Sequence, residues 1–477
     1  MKKIIFFSGL AIALIALSCL LVSSRQAPES IESLSSSYRH VQPTAKAQTV
    51  SLPVAVEKNE SLTPVTLKPI PDYLTKSIEW LAQSQAADGG WGANQVMNGG
   101  TGSYRGRGLR MDIEERPAPQ IAIPPVVKGD VETDDVISNN APLPQTDPAT
   151  TAFSALALAR AGSSLTEGPH ASHLQKALKY LLTVVEQTPP NAQNITALTN
   201  TQPQRKLGRN VDVSISMQFF TRILHEGVGD KAMKKRINRA IDKCIGMLQD
   251  AQQADGSWGA SGWAPVLNSV MANNALEMSQ LVGKDVDVVL DQSRAYQQKN
   301  MDKSGNVKTE KAAGIALYSL SSTQRATAKD ASEAEKAIQE ASGENVGTLS
   351  PENEEANYKI LSKTYTEKKA KRLAESYRAN AAAKAQLNND AVLTGFGNNG
   401  GEEYLSYMMT AESFVAEGNQ KSWDNWHKKM AGLFDKVQNG NGSWTGQHCI
   451  TSPVFCTAAV IMTLTADRDA ELLMARK

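Results

Sequence analysis

The densest set of reactive side chains is the stretch 445–453, Thr-Gly-Gln-His-Cys-Ile-Thr-Ser-Pro, with Cys456 about a helical turn beyond it. The imidazole of His448 suits proton transfer, and Cys449 is a nucleophile or a soft metal ligand. Asp147, Asp212 and Glu403 stand where apolar helical runs begin, and any of them could pair with that imidazole as an acid. Asp147, Asp212, Glu403 and His448 are therefore the catalytic candidates. Thr150, Thr151, Gln447 and Cys449 are the ligand-binding candidates, since they add donors and acceptors that orient a bound molecule. These residues are far apart in the chain. They meet only if a repeated architecture brings the starts of several helices to one place.

The chain contains such a repeat. Gln252-Gln253-Ala254-Asp255-Gly256-Ser257-Trp258 is matched by Gln85-Ala86-Ala87-Asp88-Gly89-Gly90-Trp91 and paraphrased by Gln438-Asn439-Gly440-Asn441-Gly442-Ser443-Trp444. Each copy ends an amphipathic helical run, and Asp-Gly or Asn-Gly is a helix stop because glycine accepts the left-handed cap conformation. Pro148, Pro265 and Pro453 then open new helices, with Asp147 or Ser452 as the cap before two of them. The unit is helix, turn, helix. It recurs as a run from Tyr73 with 149–161, 173–187 with 211–225, 231–253 with 266–282, and 286–300 with 309–320, whose turn 301–305 has lost its Trp. An inner helix over 401–417 and the pair 423–437 with 453–464 complete the series. Six hairpins of this kind predict an all-α fold, an (α/α)6 toroid in which each pair buries a face its neighbour needs. The N-terminal ends of its inner helices converge on one mouth of a central cavity, where free N–H groups and helix dipoles favour polar ligands. The rim then holds Asp147, Thr150, Thr151, Asp212, Asn268, Thr309, Glu310, Glu402, Glu403, Gln447, His448 and Cys449.

The Q-x-x-D-G-[SG]-W pattern resembles the repeat of the terpenoid cyclase and protein prenyltransferase superfamily, whose squalene cyclase and prenyltransferase members fold as α/α toroids. The resemblance spans roughly 70–467. It implies that Gln and Trp tie each turn to the neighbouring hairpin, and that the substrate is an isoprenoid or other apolar molecule. Class II cyclases protonate an alkene with Asp-x-Asp-Asp; the corresponding place here reads Asp147-Pro148-Ala149-Thr150, with a single carboxylate. Glu132-Thr133-Asp134-Asp135 is closer in composition but lies in a loop. Cyclases also line the cavity with aromatic rings, for which Phe153, Phe219, Phe220, Tyr318, Tyr404, Tyr407 and Phe455 are the few candidates. Prenyltransferases hold zinc through Asp-x-Cys and His, and Asp212-Val213-Ser214 lacks the thiol. His448, Cys449 and Cys456 could supply zinc ligands, but chain neighbours rarely share one zinc, and two helical cysteines seven apart lie about 10 Å from each other. No cofactor or metal is expected. The implied protein is a toroid that binds an isoprenoid-like ligand or an envelope protein at its central cavity without the family's catalytic motifs. The alternative is a cyclase- or prenyltransferase-like enzyme.

Less specific readings stand beside these. His448 also reads as a hydrogen-bonded neighbour of Trp444, and Cys449 and Cys456 as small buried residues. Cys244, among Ile241, Ile245 and Leu248, reads as core, and His170 and His173 as surface. Trp91, Trp258 and Trp444 read as structural.

Composition sets outer limits. The chain has 477 residues with 41% hydrophobic content, enough for one large core, and a net charge of +1 argues against nucleic acid. Four cysteines in this length are no disulfide framework. Lys2 and Lys3 precede an uncharged apolar run over 4–22, which reads as an export signal or membrane anchor within 1–24. Three fates stay open: cleavage after Ser24, lipidation at Cys19 in Ala16-Leu17-Ser18-Cys19, or retention as a span of about 20 residues. Residues 25–68, rich in Ser, Pro, Gln and Thr, read as a disordered linker reaching about 35–40 Å. The chain is thus expected in the cell envelope or periplasm, anchored by its N-terminus. Within the toroid, 69–467, a loop insertion over 93–146 carries the Gly- and Arg-rich stretch 99–110, which no helix follows and which is therefore no phosphate loop. A charged helical insertion over 326–390 is expected to hold a long solvated helix over 354–385. Residues 468–477 read as a tail.

Overall fold

The computed structural model describes residues 64–93, 145–189, 191–196, 198, 201–259, 262–342, 350–397 and 399–475. The readings placed on 1–63, on 99–110 and on 132–135 lie outside them. Among the described residues the fold is all-α, with one isolated bridge, Met301 to Val307, and no strand. No described helix is long and apolar enough to cross a membrane.

In chain order the helices are α1 (Asp72–Gln83), α2 (Pro148–Arg160), α3 (Ala171–Gln187), α4 (Gln202–Lys206), α5 (Val211–Glu226), α6 (Lys231–Ala251), α7 (Pro265–Ser279) and α8 (Asp287–Gln298). They continue as α9 (Ala316–Ser342), α10 (Glu354–Leu361), α11 (Glu367–Leu387), α12 (Asp390–Leu393), α13 (Gly401–Ala416), α14 (Gln420–Val437), α15 (Pro453–Leu464) and α16 (Ala470–Met474). Helices α2, α5, α7, α9, α13 and α15 pack each against the next, and α15 packs back on α2. Outside them α1, α3, α6, α8, α11 and α14 each lie against two of these inner helices or against one inner and one outer neighbour.

The two layers differ for a physical reason. An outer helix such as α1 or α6 buries one stripe, Leu74, Ile78 and Leu81 or Ile237, Ile241, Cys244 and Leu248, and leaves its polar face to solvent. An inner helix is surrounded, and every residue of α2 and α13 is buried. Small residues such as Ala152, Ala155, Ala157 and Ala159 let α2 approach its neighbours closely.

The repeated turn is the joint between units. The indole N–H groups of Trp91, Trp258 and Trp444 donate to the carbonyls of Leu81, Leu248 and Phe434, ten residues back in each case. Their backbone N–H groups donate to hydroxyls of the following inner helix, at Thr151, Ser269 and Thr457. The Gln side chains reach a carbonyl of the next outer helix: Gln85 to His173, Gln252 to Val289, and Gln438 to Tyr73. That last bond ties the final turn to the first helix. In the fourth turn the same backbone bonds form around Asp302 and Gly305, with Met301 and Val307 standing at the Gln and Trp positions.

Five expectations are corrected. The long solvated helix over 354–385 is two helices, α10 and α11, because Thr366 caps the second through the Lys369 N–H. Nor is it solvated: Leu361, Ala370, Leu373, Ala374 and Tyr377 form a satellite core with Ala331, Ala334 and Ile338 of α9. The inner helix expected over 309–320 starts at Ala316 and runs to Ser342, since Ala313 (φ 53°) and Gly314 (φ 82°) form a left-handed turn before it. Thr309 and Glu310 therefore stay outside the helix, and Glu310 is exposed. Residues 468–475 are no tail, because Asp469 and Leu473 are buried and α16 packs on α13. Finally, Val65 is buried and the Lys68 N–H donates to Asp467, so the described end of the expected linker is docked. His170, read as surface, is also buried, its ring edge-on to His173.

Candidate functional site

The start of α13 and the 446–452 loop before α15 face each other. The Gly401 N–H donates to the Ile450 carbonyl and the Ile450 N–H to Oε2 of Glu402, which fixes the loop on the helix start. Glu403 is buried. Its Oε2 accepts the Gly400 N–H at 2.7 Å and its Oε1 accepts the Tyr318 hydroxyl at 2.5 Å and the Phe396 N–H at 3.1 Å. Nε2 of His448 stands 3.4 Å from Glu403 Oε2. A Cβ on Gly400 would lie 2.8 Å from that imidazole, so only glycine lets the ring rest on the backbone here. Beside it, Cys449 takes a left-handed φ of 54°.

A second side of the site comes from α4. Gln202 accepts the Thr451 and Ser452 N–H groups and donates to the Thr451 hydroxyl. This brings Lys206 up to Cys449, and the Lys206 ammonium lies 5.6 Å from the centre of the Trp263 ring. The Phe396 ring lies 5.0 Å from the His448 ring, tilted by 52°. Both aromatics are open to solvent, Trp263 at 45% and Phe396 at 56% exposure. Lys206, Trp263 and Phe396 were not among the residues selected from sequence, and Tyr318 was named only as a candidate cavity aromatic. Trp263 carried the one usable signal, a tryptophan in a turn with no place in the repeat.

Burial dominates the electrostatics. It pushes Glu402 up to about 8, with Glu403 adding to the effect. It also pushes the Cys449 thiol up to about 12, reinforced by Glu402 and opposed by Lys206. In this state Cys449 is a poor nucleophile. Cys456, deeper still, donates to the Ile450 carbonyl.

Of the sequence candidates, Glu403, Gln447, His448 and Cys449 share this mouth; the others are structural. Asp147 caps α2, accepting the Thr150 and Ala93 N–H groups, and Thr151 holds the Trp91 backbone. Asn268 is buried and donates to the Arg209 carbonyl. Asp212 accepts the Ile195 and Val213 N–H groups, and burial raises its carboxyl to about 7. A carboxyl raised in the folded state holds its proton where the unfolded chain has lost it. Its contribution is complete below the unfolded value, 3.8, and is lost as pH rises to about 7. Asp212→Asn is therefore expected to remove a stability decline on the order of 2–4 kcal/mol across that interval. Thermal melts at acid and neutral pH would show it; equal slopes in the two proteins would contradict it.

The far end of the inner helices is filled. Arg160 (α2) pairs with Glu412 (α13) at 2.7 Å and with Asp469 at 2.5 Å, and Arg222 (α5) reaches the other oxygen of Asp469. Arg325 (α9) joins Glu412 at 3.0 Å to Glu277 (α7) at 3.1 Å. Burial alone would raise Glu277, but Lys329, Arg325 and Arg294 outweigh it and hold the carboxylate at about 2. The space left between Leu156, Arg160, Met278, Arg325, Glu412 and Leu473 is about 10 Å³, at most the room of one water. The aromatics expected to line a cavity pack on each other instead: Phe153 stacks on Phe455 at 4.6 Å, and Tyr404 and Tyr407 lie against Phe434. Asn273, Asn274 and Gln324 add buried amides with no hydrogen-bond partner among the described residues.

Comparison with protein-family models, curated proteins and solved structures found no match.

Proposed function

We propose that the chain is an exported, membrane-tethered (α/α)6 toroid of the terpenoid cyclase and prenyltransferase type that binds a ligand or partner without the superfamily's catalysis. The binding place is the mouth at α4, α13 and the 446–452 loop, rather than the ring's centre. One observation carries this reading: two large aromatics, Trp263 and Phe396, stand open to solvent on either side of Lys206, Cys449 and His448. Exposed aromatic faces beside one cation suit a molecule with an apolar body and an anionic end. An isoprenoid-like lipid has that form, and so does an aromatic- and acid-bearing segment of an envelope protein. The enzymatic alternative requires an apolar chamber, and the ion pairs and buried amides of the interior argue against one.

The test is native mass spectrometry of the full chain after gentle membrane extraction, beside Trp263→Ala/Phe396→Ala. Both side chains are largely exposed, so the melting temperature is expected to stay within about 1 kcal/mol equivalent of the parent. A bound lipid or protein present in the parent and lost in the variant is the expected result. Retention of the same bound species by the variant, or its absence from both, would overturn the assignment.

A further inference from the structure

Among the described residues, one group of side chains brings an imidazole, a thiol and a carboxylate together. A carboxylate oxygen of Glu402, a ring nitrogen of His448 and Sγ of Cys449 all lie within 4.8 Å of one another. We propose that these three residues hold one divalent cation of the zinc class at the same mouth, whether or not a larger ligand binds there.

Chain neighbours such as His448 and Cys449 normally point apart, as successive side chains do in extended backbone. The left-handed φ of Cys449 breaks that alternation and lets both face Glu402. Glu402 supplies the independent sign. Its side chain is fully buried, Oε2 accepts the Ile450 N–H, and Oε1 has no hydrogen-bond partner among the described residues. A buried carboxylate oxygen without a partner is costly unless something cationic or protic meets it. The donor set narrows the ion. A thiolate with an imidazole suits zinc, cobalt or copper(I), and disfavours magnesium and calcium, which take oxygen ligands. Bond lengths of about 2.0–2.3 Å put tetrahedral ligand atoms roughly 3.3–3.8 Å apart, so the three must close by about 1 Å. The carboxylate of Glu403, 3.4 Å from Nε2 of His448, is the outer group that would orient a ligating imidazole. This is not the prenyltransferase arrangement, because thiol and carboxylate come from different helical units. Cys449 gives its proton to solvent when the metal binds. Three protein ligands leave one position for water or an anionic group of a bound molecule. Lys206 beside Cys449 is the competing cation, so its removal is expected to tighten metal binding.

The full chain, freed of metal by a chelator, is titrated with cobalt(II) and zinc(II). Cobalt is expected to bind at one per chain with thiolate-to-metal absorption, and zinc to protect Cys449 from alkylation in peptide mapping. Cys449→Ser should abolish the absorption. Glu403→Gln, which weakens the contact to the imidazole and also disturbs the Gly400, Tyr318 and Phe396 bonds, should weaken cobalt binding by about 10–100-fold. Alkylation of Cys449 at the same rate with and without zinc, measured on the unaltered chain, would overturn the proposal even if the variants failed to fold. A cobalt spectrum without thiolate character would do the same.

Discussion

Glu412→Ala is expected to destabilise the protein by about 3–5 kcal/mol, the range for removing one partner from a buried ion pair. The variant strands two guanidinium groups. Arg160 keeps Asp469 and Arg325 keeps Glu277, but the carboxylate that joined them is gone, and at 1% exposure Arg325 stays largely desolvated. The cost is the desolvation of charge left uncompensated, so it should shrink when the charge goes too. Arg325→Met/Glu412→Ala is thus expected to lose less than the sum of the two single changes. Exposed pairs provide the contrast: Glu186→Ala, at the surface pair with Arg236, should change stability within about 0.5 kcal/mol. Chemical denaturation of the parent, the three single variants and the double variant decides it. A loss near 1 kcal/mol for Glu412→Ala, or strict additivity in the double variant, would mean that the centre is wet and the ring open. A wet centre would also revive the enzymatic reading, since a chamber would then exist for a substrate.

The features legible in sequence were those with a local cause. Asp-Gly and Asn-Gly turns, prolines at helix starts and the Gln-to-Trp spacing each encode one joint, and repetition made the hairpin readable. What escaped depended on partners distant in sequence. Asp469 reads as a charge near the chain end until Arg160 and Arg222, some 300 and 250 positions earlier, are placed against it. Leu472 and Leu473 follow the same logic. The charged run over 354–385 read as solvated because its Lys and Glu spacing hides an alanine face that only α9 reveals. At the mouth, His448 and Cys449 stood out by type, whereas Lys206 and Gln202 are ordinary residues brought there by a five-residue helix. The central cavity was an inference from architecture alone. At one end of the inner helices, long side chains meet in ion pairs that the sequence did not announce.

Trp258→Ala is expected to cost a further about 3–5 kcal/mol, the usual loss for a large aromatic deleted from a packed core. Trp258 is fully buried, so the change leaves a cavity between α6 and α7, and it also frees the Leu248 carbonyl from its 2.8 Å indole bond. The fourth turn separates these two effects from the turn itself. There Val307 and Met301 replace Trp and Gln, and the backbone bonds from Asp302 to Asn306 and from Gly305 to Asp302 still form. Turn geometry therefore does not require the tryptophan; the packing of the hairpin does. Trp258→Phe should accordingly recover about half of the loss by refilling space without restoring the hydrogen bond. Gln252→Ala, which breaks the reach to Val289, should cost only about 1 kcal/mol, because that amide is part-exposed and water can take its place. Hydrogen exchange would locate the damage. In Trp258→Ala the amides of α6 and α7 should lose protection first, while those of the 253–257 turn keep theirs relative to the helices. If the turn amides open before the helices do, the tryptophan is holding the turn and not the hairpin, and the packing account fails.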